Sequence, residues 1–273
     1  MLTKWTGSAG GPIWIRPAWP ENEVRAAFSF RKGGVSEAPF ASLNVGFHVG
    51  DKPECVIENR RRCAAAVGGQ LEDMVVPEQV HGTGVAVVTR DDRGRGSVPD
   101  TPPIPDVDGV ITNVPGLTLM VMAADCVPLL FYDRAHRAIG AAHSGWRGTV
   151  GHIAREMLTR MQMTYETQPQ DVEVWLGPSI RQCCYEVDDR VADPVRAGFG
   201  TAPLLTRFGK PGKYLLSLQT CIQADLRQAG VPESQIHDTG VCTACHPEAL
   251  FSHRAEHGKT GRLLGVIRLP SPS

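Results

Sequence analysis

Ala123-Ala124-Asp125-Cys126-Val127-Pro128, an apolar run to Tyr132, a polar turn, and then Ala141-Ala142-His143-Ser144-Gly145-Trp146-Arg147-Gly148 form the stretch that decides the fold. Residues 117–124 and 127–132 are rich in Leu, Met, Val and Phe, and 137–142 is another short apolar run. Short continuous apolar runs bounded by turn residues point to buried strands. The pattern predicts a buried sheet carrying Cys126 and His143 near its strand ends, where a thiol and an imidazole can meet. A glycine-rich turn follows His143, and then a helix for which Thr149 is the expected N-cap. Unpaired amides at such a helix start favour an anion.

Upstream, residues 13–15, 24–30 and 42–46 read as short strands between turns. Arg31-Lys32-Gly33-Gly34 is either an anion cradle or, more ordinarily, a solvated basic turn. Residues 53–68 read as a helix on which Val56, Ile57, Cys63, Ala64 and Val67 form one apolar arc, with Arg60 near its middle. Arg60 is expected to point inward. Either its stem packs while its head group snorkels or pairs with a structural carboxylate, or its rigid fork binds a phosphate or carboxylate substrate. His81 lies at a turn before a strand at 85–88, where a histidine is ordinarily structural. Residues 91–106, rich in charge, Gly and Pro, read as an exposed loop and the candidate for mobility. Asp108, opening the next strand, is either a turn residue or a site acid.

Downstream, 149–163 reads as one amphipathic helix with Val150, Ile153, Ala154, Met157, Leu158 and Met161 on its apolar arc and His152 on the solvent side. Residues 214–229 form a second, with Leu215, Leu218, Ile222 and Leu226 on one face. Strands are expected at 172–176 and 263–267.

A chain of 273 residues, 42% hydrophobic, can bury a substantial core in one large domain or two small ones. A formal net charge of -1 argues against binding nucleic acid or membrane by bulk electrostatics. Residues 1–12 lack the apolar core of a secretion leader, and 117–132 is too short to span a bilayer and is interrupted by Asp125. A cytoplasmic location is the expectation, in which eight cysteines read as free thiols or metal ligands. Cys242-x-x-Cys245-His246 has the spacing of a c-type haem attachment, but no export route accompanies it. A structural zinc site would want a second pair at comparable spacing, whereas Cys183 and Cys184 have no gap, so free buried thiols are expected there, with an incidental disulfide or a peripheral metal as the lesser alternatives. His81, Cys126 and His143 together offer one thiolate and two imidazoles, which a tetrahedral zinc accepts while keeping a position open. Their spacing alone forms no local metal motif.

Gln79-Val80-His81-Gly82, Ala124-Asp125-Cys126-x-Pro128 and His143-Ser144-Gly145-Trp146-Arg147-Gly148 resemble the signatures of the YfiH-like, laccase-domain family of purine nucleoside phosphorylases. Agreement extends through Gly33-Gly34-Val35-Ser36, Ser42-Leu43-Asn44, Glu58-Asn59-Arg60, Gly177-Pro178-Ser179-Ile180, Cys242-Thr243 and Gly261-Arg262, nearly the whole chain. The resemblance implies an α+β fold, a single domain over residues 1–273 with a mixed β-sandwich flanked by helices, similar to that of a toxin with a Cys/His deamidase site. It implies zinc at His81, Cys126 and His143, with copper also associated with the site. The implied activities are phosphorolysis of adenosine, inosine and methylthioadenosine, together with adenosine deamination; an older laccase label travels with them. Arg31-Lys32 and Cys245-His246 depart from the usual pattern and leave substrate preference open.

In such an enzyme Arg60 and Arg147 are the candidates for phosphate, Asn44 and Asp125 for hydroxyl or base contacts, and Asp125 for moving protons in deamination. The expected partners are purine nucleosides and phosphate, with no nucleic acid polymer and no membrane; oligomeric state is not readable. Two other enzyme classes compete. Cys126 could attack as the nucleophile of a cysteine hydrolase with His143 as its base. Copper-dependent polyphenol oxidation would instead call for many histidines, often as His-x-His pairs, and none of the nine histidines forms one. A metal-stabilised binding module is the non-enzymatic reading.

Overall fold

The computed structural model describes residues 4–7, 11–207 and 209–271. Residues 1–3 and 8–10 of the stretch read above for a leader lie outside the described residues. In chain order the strands are β1 (Lys4–Gly7), β2 (Ile13–Arg16), β3 (Arg25–Ser29), β4 (Met74–Val75), β5 (Val85–Val87), β6 (Gly109–Thr112), β7 (Thr118–Ala123) and β8 (Val127–Asp133). They continue as β9 (Ala138–Ser144), β10 (Val172–Leu176), β11 (Glu186–Asp188), β12 (Leu204–Thr206), β13 (Lys213–Leu216), β14 (Ile236–Asp238) and β15 (Leu263–Arg268). The helices are α1 (Pro53–Ala66), α2 (Trp146–Val150), α3 (Ile153–Tyr165), α4 (Asp189–Phe199) and α5 (Leu218–Gln228).

Every residue of β7, β8 and β9 is buried, which is why these strands read as continuous apolar runs rather than alternating ones. One six-stranded sheet has the order β1-β2-β3-β15-β7-β4, and the other β14-β10-β8-β9-β6-β5; a small third sheet is β11-β13-β12. Both large sheets mix parallel and antiparallel pairs. They face each other across a layer that includes Phe28, Val121, Leu130, Ala141, Trp175 and Ile267. Successive side chains of a strand point to opposite faces. Met120 and Met122 of β7 therefore meet α1 on the outside of the first sheet, while Leu129 and Phe131 of β8 meet α3 and α5 outside the second. The architecture is the α+β sandwich flanked by helices that was expected.

Five local readings change. The helix expected over 149–163 is two helices, α2 and α3, separated by Gly151 and His152, the latter in the left-handed region at φ 65°. The N-cap of α2 is Gly145, and Thr149 lies inside the helix with its hydroxyl 2.8 Å from that of Ser144. His152 is half-buried, its Nδ1 3.0 Å from Asp225, which also accepts from Arg155. The helix expected from residue 214 starts at Leu218 instead, because Tyr214 to Leu216 pair with β11 and β12 and Ser217 caps the backbone amide of Thr220. Nor is 91–106 a free loop. The amide of Val76 donates to the Arg95 carbonyl and that of Ile104 to the Val76 carbonyl, both at 3.0 Å, and Ser97 and Ile104 are buried.

Where the two sheets close together, Gly177 follows β10 and a Cβ there would come within 2.5 Å of the Phe28 ring and 2.7 Å of Pro128. Gly177→Ala should therefore cost about 1–3 kcal/mol of stability, as overpacking of a filled core does. Gly198, inside α4 with open space around its Cβ position, provides the contrast: Gly198→Ala should gain about 0.5–1 kcal/mol from helix propensity. Urea unfolding of the two variants beside the parent chain measures both.

Candidate active site

The antiparallel register of β8 and β9 pairs Pro128 with His143 and Val127 with Ser144. Cys126, one residue before β8, is thereby brought to the end of β9 where His143 sits. The third donor, His81, comes from the loop between β4 and β5. Its position is fixed by Asp108, a fully buried carboxylate just before β6. Asp108 accepts the backbone amides of Val80 (3.1 Å), His81 (3.0 Å) and Gly82 (2.7 Å), and lies 2.8 Å from His143 Nδ1. Gln79 and His81 both have positive φ, at 61° and 62°, a conformation costly for non-glycine residues unless the surroundings impose it. Here the ring of amides around Asp108 imposes it, aided by the Gln79 side chain, which pairs with both backbone groups of Met122 at 2.7 and 2.8 Å.

The ligand-type atoms of His81, Cys126 and His143 lie within 4.8 Å of one another, and the two imidazole rings meet edge to face at 4.9 Å. Burial pushes the Cys126 thiol up, but the charge and hydrogen bonds of His143, with a hydrogen bond from His81, outweigh it and bring it below its ordinary value. Asp108 is likewise pushed up by burial, yet His143 and the amides of Gly82 and His81 hold it below the usual carboxylate range. With Nδ1 engaged by Asp108, His143 presents Nε2 to Cys126, the tautomer logic of a metal-binding histidine. Gly145 leaves the space beside them clear: a Cβ at that position would stand 3.1 Å from Cys126 Sγ and 3.2 Å from His81 Cδ2. A soft thiolate and two imidazoles around a space that a methyl would fill suit a zinc or copper ion.

These groups open into a cavity of about 550 Å³, within the range of small-molecule sites. Asp125, Cys126, His81, His143 and Arg147 all line it. So do residues to which sequence reading gave no role, namely Trp146, Tyr185, Arg254 and Arg262. Three arginines face two lining carboxylates, Glu78 and Asp125, so the cavity favours an anion. Arg147 is exposed and stacks on the Trp146 ring at 4.8 Å. Burial pushes the Tyr185 hydroxyl up to about 12, so it remains a neutral donor. The helix start expected at Thr149 falls instead at Gly145, and the Thr149 amide is spent on the Gly145 carbonyl.

Two expected substrate ligands stand behind the wall instead. Arg60 points inward from α1, as the helical arc implied, but it does not line the cavity. Its guanidinium donates to the carbonyls of Val45, Gly96 and Ser97 and to Met122 Sδ, and lies over the Phe47 ring. Asn44 is fully buried and accepts the amides of Gly46 and Arg262 while donating to Asp51 and the Gly46 carbonyl. Asp125 does line the cavity, at φ 89°, but its carboxylate already accepts from Thr243, Ser252 and the Arg254 amide at 2.6–2.7 Å. Arg31 is also committed, to Glu256 and to the carbonyls of Ala41 and Pro247, which leaves the anion-cradle reading of its loop without a free guanidinium.

Fold and site together define a class: a two-sheet α+β protein with a thiolate and two imidazoles gathered at adjoining strand ends in an arginine-lined cavity. Residues 25–270 match the family described as multi-copper polyphenol oxidoreductase laccase, and the chain belongs to that family. It is 43% identical over 256 residues, 93% of each chain, to a Geobacillus stearothermophilus protein named purine nucleoside phosphorylase YlmD. To the Escherichia coli K12 protein named purine nucleoside phosphorylase YfiH it is 35% identical, covering 93% of this chain and 98% of that one. The crystal structure of YlmD from Geobacillus stearothermophilus superposes with a TM-score of 0.91 at 40% identity, covering 99% of this chain and 100% of that one. A Bacillus licheniformis protein titled hypothetical protein YfiH gives 0.90 at 38% identity, covering 97% and 98%. Among the described residues no helix is long and apolar enough to cross a membrane.

Asp108→Asn should weaken the binding of a metal at His81, Cys126 and His143 by about 10–100-fold, because the amide cannot accept all four N–H groups and frees both imidazoles to turn. Competition with a chelator measures it; unchanged affinity would mean that the histidines are oriented without Asp108. Arg60→Ala should show chiefly as a loss of about 2–4 kcal/mol in urea unfolding, since it strands buried carbonyls.

Proposed function

We propose that this chain is a metal-dependent purine nucleoside phosphorylase that takes adenosine, inosine or methylthioadenosine together with phosphate, and that adenosine deamination is a second activity of the same cavity. One observation carries the reading: the donor trio His81, Cys126 and His143 shares its cavity with Arg147, Arg254 and Arg262. The names of the relatives support it. Residues 1–273 act as one domain.

In the proposed reaction a phosphate oxygen bonds to C1′ of the ribose as the bond from C1′ to the purine nitrogen breaks. The bonding pair leaves with the purine, and the proton given up by phosphate ends on the free base, so the products are base and ribose 1-phosphate. Arg147 is the proposed phosphate ligand, because its exposed guanidinium lines the cavity and stacks on Trp146, and among the described residues no carboxylate pairs with it. Trp146 and Tyr185 offer rings against which a purine can lie. His81, Cys126 and His143 would hold the metal, zinc or copper, which when bound supplies an electrophile. Asp125 positions the 252–254 loop and with it Arg254, while Asn44 holds Arg262 through its backbone amide and Arg60 sets the wall at Met122.

A specific geometry favours one competing reading. Cys126, His143 and Asp108 stand in the order of a nucleophile, its base and the base's orienting group. A cysteine hydrolase would form an acyl adduct on Cys126 and turn over without phosphate.

With purified enzyme, base release from the three nucleosides should rise and saturate with phosphate concentration and yield ribose 1-phosphate rather than ribose. Arg147→Ala should raise the phosphate KM roughly tenfold or more, as loss of a charge-assisted contact worth about 1.5–3 kcal/mol does. Inosine appearing from adenosine, followed separately, reports deamination. No turnover on any of the three with the metal bound, or a trapped adduct on Cys126, would return the hydrolase reading to first place.

A further inference from the structure

The described residues hold a second cluster of soft donors, remote in composition from the first. Cys183 and Cys184 come from the turn between β10 and β11, and Cys242 and Cys245 from the loop after β14. The four sulfurs lie within 4.8 Å of one another. Cys183 is 3.7 Å from Cys242 and 3.5 Å from Cys245, and Cys184 is 3.3 Å from Cys245. All four are free thiols.

These separations discriminate between chemistries. A disulfide needs its sulfurs at about 2.05 Å. Four thiolates around a tetrahedral zinc at about 2.3 Å stand about 3.8 Å apart along each edge. The observed distances fall close to the second value. Thiols are also weak hydrogen-bond partners, so their mutual contacts give little reason for two loops about sixty residues apart in sequence to converge four sulfurs on one point. Spacing by itself points to free thiols here, because Cys183 and Cys184 lack the two-residue gap of the usual zinc knuckle. The turn at 182–184 solves this by letting Cys183 reach Cys242 and Cys245 while Cys184 reaches Cys245 from the other side.

We propose that Cys183, Cys184, Cys242 and Cys245 bind one zinc ion in a closed tetrathiolate centre, distinct from the site at His81, Cys126 and His143. With four protein ligands it has no open position, so its role is to brace structure rather than to act on substrate. What it braces is the cavity wall. Ile180 and Tyr185, on either side of the Cys183-Cys184 turn, line the cavity. Thr243, between the two other ligands, donates to Asp125. Backbone pairing of Ser179 with Cys242 ties the same two segments. The centre therefore holds together the two segments that carry Tyr185 and the anchor of Asp125.

Elemental analysis of the full chain purified from zinc-supplemented medium should show about one thiolate-bound equivalent beyond any metal at the first site. The pair His81→Ala and Cys126→Ser should retain about one equivalent, and its cobalt-substituted form should show the intense sulfur-to-metal charge-transfer bands of a four-thiolate site. A mercurial reagent should release that metal in step with thiol modification. Cys183→Ser with Cys245→Ser should remove it, and Tyr185 fluorescence or nucleoside KM should shift as the wall loosens. Metal content unchanged by the Cys183 and Cys245 changes would overturn the proposal. So would a metal-free His81/Cys126 variant, which can be read even if the double cysteine variant does not fold, or disulfides joining the four cysteines in protein purified without oxidant.

Discussion

The carboxylate of Asp108 is the interaction on which the site depends. It sits fully buried just before β6 and takes four N–H groups: three successive amides of the 80–82 loop and the imidazole of His143. A buried charge is tolerable only when it is hydrogen-bonded on this scale. The same contacts fix His81 in a left-handed conformation and set the tautomer of His143, so one residue orients two donors from two other segments. The thiol of Cys126 completes the group because the β8–β9 register leaves it no other place.

Around that centre the cavity is positive by construction, and its arginines are of two kinds. Arg147 is exposed on the first turn of α2. Arg254 and Arg262 are held through their backbone amides by Asp125 and Asn44. Arg60, by contrast, spends its fork on carbonyls behind the wall. A guanidinium buried with carbonyl partners organises loops, whereas one at the cavity surface can meet an anion; the difference lies in which donors remain uncommitted.

The sandwich explains why so many segments contribute to one site. The β7–β8 turn carries Asp125 and Cys126, β9 ends in His143 and the Arg147 turn, and the loops after β10 and β14 bring Tyr185 and Thr243. Loops at one end of two packed sheets can vary their side chains without disturbing the buried layer. Two soft-donor clusters result, one with three donors opening into the cavity and one with four at its margin.

By itself the sequence determined the buried strands, since continuous runs such as 117–124 and 127–132 have no other home in a folded chain. It also determined the inward direction of Arg60, because a helical arc places residues by rotation alone. The fully buried strands put Cys126 and His143 at neighbouring strand ends, which their spacing allowed and antiparallel register delivered. Helix ends were less legible: Gly151 and His152 break a pattern whose apolar periodicity continues across them, and Tyr214 has helical spacing yet is captured by β11 and β12. Only the tertiary structure decided what the polar residues do. Asp108 reads in sequence as either a turn residue or a site acid, Arg60 as either a packed structural arginine or an anion ligand, Asn44 as a substrate contact, and the four cysteines chiefly as free thiols. Arg60 meets Val45, Asp108 meets His143, Cys183 meets Cys245 and Asn44 meets Arg262 across 15, 35, 62 and 218 residues, between segments that no local pattern connects. Periodicity reports which face of an element is buried, but the groups a buried polar atom meets are set by how the elements pack.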